Sequence, residues 1–258
     1  MRSISRRGLL RQTSALGSTA MLGPQLATAA GEDKSDEPKE PKRKLKLVVT
    51  GGHPGDPEYG CGGTIACFTD LGHEVVLLYL NRGERPDEPP DQAGAARVAE
   101  ARKACEILKA RPLFAGQIDG KAIVDPPHYE AFRKILEAER PDVVFTHWPI
   151  DNHADHRAIS MLAYDAWLRM KRSFALYYYE VSNGEDTVQF APTHYVDITQ
   201  TEARKRSACY AHASQAPDRF YRLQEQVTRM RGLERGCRQA EGYIRLIQNP
   251  DTALPFGL

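Results

Sequence analysis

The feature that narrows this chain most is the alternation of short, continuously apolar runs with longer amphipathic stretches. EVVLLYL (74–80) and DVVFTHW (142–148) are apolar on both faces of a strand, the pattern expected when helices cover a sheet on either side. KLKLVVT (44–50) is equally β-rich and runs into Gly51-Gly52, a turn signal. Helical stretches are read over 62–72, with Gly72 just past the helix end, and over 92–110, 128–139 and 155–169. A weak strand falls at 112–115. The aromatic run ALYYYEV (175–181) and THYVDIT (193–199) follow, then two helical stretches to about residue 247. This alternation predicts one three-layer α/β domain on a mainly parallel sheet. In such sheets a ligand lies beyond the carboxyl ends of the strands, where strand order reverses.

Composition sets the outer limits. Of 258 residues, 41% are hydrophobic and 27% charged, ordinary values for a globular chain. The formal net charge is +1, and without the four arginines of residues 1–29 the balance is 31 basic to 34 acidic. No polyanion-binding surface is implied, so nucleic acid is not an expected partner. Residues 1–29 read as a leader: a basic start, a mildly apolar stretch, and Ala27-Thr28-Ala29 as a cleavage site. Ser5-Arg6-Arg7-Gly8-Leu9-Leu10 is similar to a twin-arginine export signal, which predicts a periplasmic or extracellular protein. Residues 30–44 carry charges and almost nothing apolar and are read as a disordered tether. The domain proper is placed at 45–258, with no membrane span expected in the mature protein. The five cysteines are odd in number and form no C-x-x-C, so neither a disulfide framework nor a cysteine metal site is indicated.

Two short segments hold four of the eight histidines, and each follows an apolar strand. The first is Gly52-His53-Pro54-Gly55-Asp56-Pro57-Glu58; the second is His147-Trp148-Pro149 followed by Asp151-Asn152-His153-Ala154-Asp155-His156. His53 and Asp56 are three apart in a stiffened loop and can face one point, with His156 approaching from a neighbouring loop. Two imidazoles and a carboxylate with an open position suit a catalytic zinc ion, though another divalent transition metal would be taken by the same donors. Zinc lowers the pKa of a bound water to roughly 7 and polarises a carbonyl. The same donor set also describes non-haem iron oxygenases, a minor alternative.

These segments resemble the signatures of the LmbE-like (PIG-L) deacetylases. VVTGGHPGDPEYGCGGTIACFTDLGHEVVLLYLNRGE resembles the first, usually A-H-P-D-D-E followed by a glycine-rich helix start, and HADHRA (153–158) resembles the second, H-P-D-H-R-A. Arg97-Val98-Ala99-Glu100-Ala101 and VDITQTEARKRSACYAHASQ (196–215) are similar to later segments, so the likeness spans about residues 45–245. The resemblance implies a Rossmann-like three-layer domain and hydrolysis of the acetamide of an N-acetylated sugar of the GlcNAc type, or a related glycoconjugate or amide. It implies His53, Asp56 and His156 as zinc ligands, His153 as the group that steadies the oxyanion or protonates the leaving amine, and Asp155 as the carboxylate orienting a histidine. Arg97 matches a substrate-binding position. Arg82, in the polar loop Asn81-Arg82-Gly83-Glu84, is carried as a second substrate contact.

One departure matters. The family's general base is the first aspartate of H-P-D-D-E, and here that position is Gly55. Glycine accepts no proton, so Glu58 is expected to substitute, with His153 and Asp155 as other candidates. Losing a base costs typically 10²–10⁴-fold, which leaves a slow enzyme. The rival reading is a degenerate carbohydrate-binding protein that keeps the fold without turnover. Gly60, Gly62 and Gly63 are expected to permit close helix packing, and at least one residue of Tyr177-Tyr178-Tyr179 to lie in the core.

Overall fold

The computed structural model describes residues 43–258 apart from 85–87, 90–91 and 93. The leader and nearly all of the tether lie outside the described residues. Five strands, β1 (Lys46–Gly51), β2 (Glu74–Tyr79), β3 (Arg111–Phe114), β4 (Val143–His147) and β5 (Ala175–Tyr179), pair in parallel. Two more, β6 (His194–Asp197) and β7 (Ala240–Arg245), extend the sheet antiparallel beyond β5. The strand order is β3-β2-β1-β4-β5-β7-β6. The chain winds outward from β1 to β3, then returns to start again at β4, so β1 and β4 flank the point where the order reverses. Both histidine-bearing loops leave the sheet there.

The helices are α1 (Asp56–Asp70), α2 (Ala95–Leu108), α3 (Pro126–Glu139), α4 (Ala154–Arg169), α5 (Glu202–Tyr210) and α6 (Pro217–Arg235). Side-chain alternation along the strands divides the core into two layers. Leu47, Val49, Leu77 and Phe145 pack with Ile65, Phe68 and Cys105 of α1 and α2. Val48, Val76, Leu78 and Val144 pack with Leu136, Leu162 and Trp167 of α3 and α4. The three consecutive tyrosines obey the same rule: Tyr177 and Tyr179 enter the first layer and Tyr178 the second, all buried. None is free to serve as a sugar platform.

The α1 glycines are packing positions. A Cβ on Gly60 would lie 2.3 Å from the Tyr179 ring, and one on Gly63 2.5 Å from Ile198. No helix among the described residues is long and apolar enough to cross a membrane. All five cysteines are free, three of them buried.

Two boundaries differ from expectation. Helix α1 starts at Asp56 rather than 62, because Pro57 stands in its first turn, where the missing N–H is no loss. Residues 240–245 form a strand, not a helix. Gly236, at φ 81°, ends α6, and the next segment finds strand partners on both sides. Its Glu241 then accepts the N–H groups of Gly63 and Thr64, at 2.9 and 2.7 Å, and pairs with the buried ammonium of Lys205. These are long-range partners that a local pattern does not contain.

Candidate metal centre

The first loop is shaped by glycine. Gly55 has φ 114° and ψ −40°, a conformation that L side chains rarely adopt, and it turns the chain directly into α1. Asp56 is thereby the first helical residue, and its Oδ2 accepts the backbone N–H of His53 at 2.7 Å. Gly52 lets the second loop approach: a Cβ there would lie 2.8 Å from the His156 ring. In the second loop His153 caps α4, its Nδ1 accepting the Asp155 N–H at 3.2 Å, so that Asp155 and His156 occupy the first helical turn.

The two loops meet at Asp56. Its Oδ2 lies 3.3 Å from His53 Nδ1, 3.2 Å from His156 Nε2 and 3.3 Å from His147 Nε2. The far side of each ligand-type imidazole faces a carboxylate. His53 Nε2 is 3.1 Å from Asp155 Oδ2 and 3.2 Å from Asp119 Oδ1, and His156 Nδ1 is 3.1 Å from Asp151 Oδ1. These carboxylates are themselves fixed. Asp155 Oδ2 accepts from Asn81 Nδ2 (3.0 Å) and the Gly120 N–H (2.9 Å), and Asp151 Oδ2 accepts from the Thr187 hydroxyl (2.9 Å).

Electrostatics follow from this crowding. Burial alone would push Asp56 up, but the charge of His156 and the hydrogen bonds of His147, His156 and His53 hold it well below the usual carboxylate range. Burial opposes charge on His156, yet Asp56 and Asp151 outweigh it and raise the imidazole to about 9. Burial and the neighbouring His156 push His147 down to about 4. Without a metal, protons therefore supply the positive charge that this cluster of carboxylates requires.

The donors fit a small divalent ion. Ligand atoms about 2.0–2.1 Å from a tetrahedral zinc stand roughly 3.3 Å apart, and the Asp56–His53 and Asp56–His156 contacts are 3.3 and 3.2 Å. His53, His153 and His156 form one trio of donors mutually within 4.8 Å, and Asp56, His147 and His156 another. Carboxylates behind the imidazoles fix which nitrogen faces the ion, as metal-binding histidines require.

The centre lies in a cavity of about 420 Å³. The expected ligands His53, Asp56 and His156 are brought together, and His153 joins them, its ring centroid 4.5 Å from that of His53. Asp155 is fully buried behind His53. Arg97 is not a solvent-facing helix charge: it is buried, lines the cavity, and donates to the Pro54 carbonyl at 2.7 Å.

Two expectations are corrected. Glu58 does not reach the cavity; it points into the protein, where its Oε1 accepts the Tyr79 hydroxyl at 2.7 Å and lies 3.0 Å from His212 Nε2. One residue beyond Pro57, it sits on the inward face of α1. Arg82 is exposed and does not line the cavity either, whereas its neighbour Asn81 supports Asp155.

Several residues had no assigned role in the sequence reading. Asp151 precedes His156 by five residues within the second motif, and that spacing was the available signal. Asp119, Asp186, Arg219 and Phe220 also line the cavity, but they stand in segments with no motif of their own.

Comparison with known proteins agrees with this geometry. The family described as PIG-L, GlcNAc-PI de-N-acetylase, matches residues 48–167, which contain both histidine loops. A diacetylchitobiose deacetylase from Thermococcus kodakarensis is 27% identical over 237 residues, 83% of this chain and 86% of its own. Among solved structures, an N,N'-diacetylchitobiose deacetylase from Pyrococcus horikoshii aligns with TM-score 0.68 and 23% identity, over 84% of this chain and 91% of that one. A 4-carboxy-2-hydroxymuconate hydratase from Pseudomonas putida KT2440 aligns with TM-score 0.70 and 22% identity, over 81% of this chain and 99% of its own. A deacetylase and a hydratase thus share the fold, and the reaction must be argued from the site. Strand order, the paired histidine loops and the family match point the same way: over residues 48–167 the chain is similar to the PIG-L (LmbE-like) family.

Proposed function

We propose that this protein is a metal-dependent deacetylase that hydrolyses the acetamide of an N-acetylated sugar of the GlcNAc type, or of a related glycoconjugate. The observation that carries the reading is the convergence of His53 and His156 on Asp56, each imidazole backed by its own carboxylate, on the wall of a substrate-sized cavity. His53, Asp56 and His156 would hold zinc, which supplies a Lewis acid for the amide carbonyl and acidifies water.

The chain's own residues supply the rest. Asp155 and Asp151 orient the two imidazoles. His153 accepts the Asp155 N–H on Nδ1, so its neutral form carries a proton on Nε2. That N–H is the donor available to a carbonyl oxygen or a leaving nitrogen. Arg97, tied to Pro54 by one nitrogen, keeps further donors for sugar hydroxyls. The relatives named diacetylchitobiose deacetylase support an N-acetylated sugar, and the leader supports export by the twin-arginine route, placing the substrate in the envelope or outside the cell.

The test is acetate release from N,N'-diacetylchitobiose and N-acetylglucosamine, with zinc and with a chelator. Chelator-sensitive release is expected. Sugar binding without release, whatever the metal supplied, would overturn the reading in favour of a binding protein.

A further inference from the structure

Amide hydrolysis needs a group to take a proton from the attacking water, and position 55, where the family carries it, is glycine. Glu58 is turned away from the cavity. Four acidic side chains do line it: Asp56, Asp119, Glu185 and Asp186. Three are engaged. Asp56 Oδ2 faces three imidazoles, Asp119 Oδ1 lies 3.2 Å from His53 Nε2, and Glu185 pairs with Arg219 at 3.4 Å. Asp186 has a different environment. Among the described residues its carboxylate pairs with no imidazole or guanidinium, and the Ser182 side chain is its polar neighbour.

Its position is also fixed against the metal centre. The Asp186 N–H donates to the Ser182 carbonyl at 3.0 Å, and its own carbonyl accepts the Asn152 N–H at 2.8 Å. The next residue, Thr187, forms a bridge with Asp151 and donates its hydroxyl to the Asp151 carboxylate, which backs His156. The loop bearing Asp186 is therefore tied to the loop bearing His153 and His156.

We infer that Asp186 is the general base of this enzyme, doing from the loop after β5 what the carboxylate missing at position 55 does in that family. The inference rests on the deacetylase reading. As a water oxygen bonds to the acyl carbon, one of its protons passes to an Asp186 carboxylate oxygen. The C–N bond then breaks, its electron pair leaves with nitrogen, and nitrogen takes the proton held on Asp186, while the neutral His153 Nε2–H bonds the carbonyl oxygen. Acetic acid and the amine are formed, and Asp186 returns to its carboxylate. Burial favours this role by raising the Asp186 carboxyl; His156 opposes the rise, and the charges of Asp56 and Asp151 reinforce it. A carboxylate raised toward neutrality is the better proton acceptor at working pH.

The experiment compares wild type, Asp186→Asn, Asp186→Ala, Asp119→Asn and Glu185→Gln, each loaded with zinc and assayed for acetate release from diacetylchitobiose. If wild type releases none, the deacetylase reading fails before the base is tested. Given an active wild type, Asp186→Asn is expected to lower kcat by about 10²–10⁴-fold and flatten the acid limb of the kcat profile. Its zinc content and glucosamine affinity should stay at wild-type values. Added formate should restore part of the activity of Asp186→Ala, which a merely structural residue would not allow. Glu185→Gln, which removes a charge from the sugar-receiving wall, should act on KM more than on kcat. Three results would overturn the assignment: wild-type kcat in Asp186→Asn, a loss that tracks lost zinc, or formate rescue of an Asp119 variant and not of Asp186→Ala.

Discussion

The floor and the outer wall of the cavity are built in different ways. The floor comes from the two loops at the β1–β4 switch point, and its carboxylates are held on several sides: Asp56 touches three imidazoles, and Asp155 and Asp151 are each held by two or more donors. The rim of the outer wall, where Glu185 meets Arg219 at the start of α6, is looser. Its Arg219–Glu185 pair is 67% and 47% exposed, a setting in which an ion pair contributes little. The difference separates two tasks. A metal centre needs donors fixed to a few tenths of an ångström, while a wall that receives sugars can adapt.

If the floor is the metal centre, His156→Ala should have the largest effect, abolishing zinc uptake and reducing acetate release to the level of chelated wild type. Retained stoichiometric zinc would break the distinction, and elemental analysis reads it. The next effect is pH. Charge on His156 is favoured in the metal-free fold, where its pKa is about 9, against roughly 6.5 when unfolded. That contribution to stability is complete below the unfolded value and is lost as pH rises through about 9. Zinc must displace the same proton, so its affinity should climb by up to about tenfold per pH unit across that window. The metal-free melting temperature should fall over the same range; titration calorimetry and thermal melts at several pH values test both directions.

Asp151→Asn, which weakens the hold on His156 without removing a ligand, should cost about 10–100-fold in zinc affinity, measured against a competing chelator. The smallest effect belongs to the wall. Arg219→Ala should leave zinc affinity unchanged and shift KM for diacetylchitobiose by less than about tenfold, consistent with an exposed pair. A loss of zinc in that variant would show that wall and floor are one unit.

What could be read before the structure divides along the same line. The parallel half of the sheet was legible because β2 and β4 are apolar on both faces, and the metal donors were legible because they cluster at the ends of such strands. β7 was hidden because its partners are more than 60 residues away in β5 and more than 40 away in β6. Glu58 misled because sequence adjacency to Asp56 says nothing about which helix face a residue takes: it turns inward to Tyr79 and His212. Asp119 and Asp186 carry no local pattern at all. They reach the cavity only through the path of loops after β3 and β5, and a sequence does not display that path.

Equilibrium dialysis of the purified, metal-stripped protein against zinc at neutral pH, run beside His156→Ala, tests the shared ion most directly. One tightly held zinc per wild-type chain, with none on the variant, is the predicted result. A wild-type protein that leaves dialysis without zinc, or a variant that binds it equally well, would contradict it.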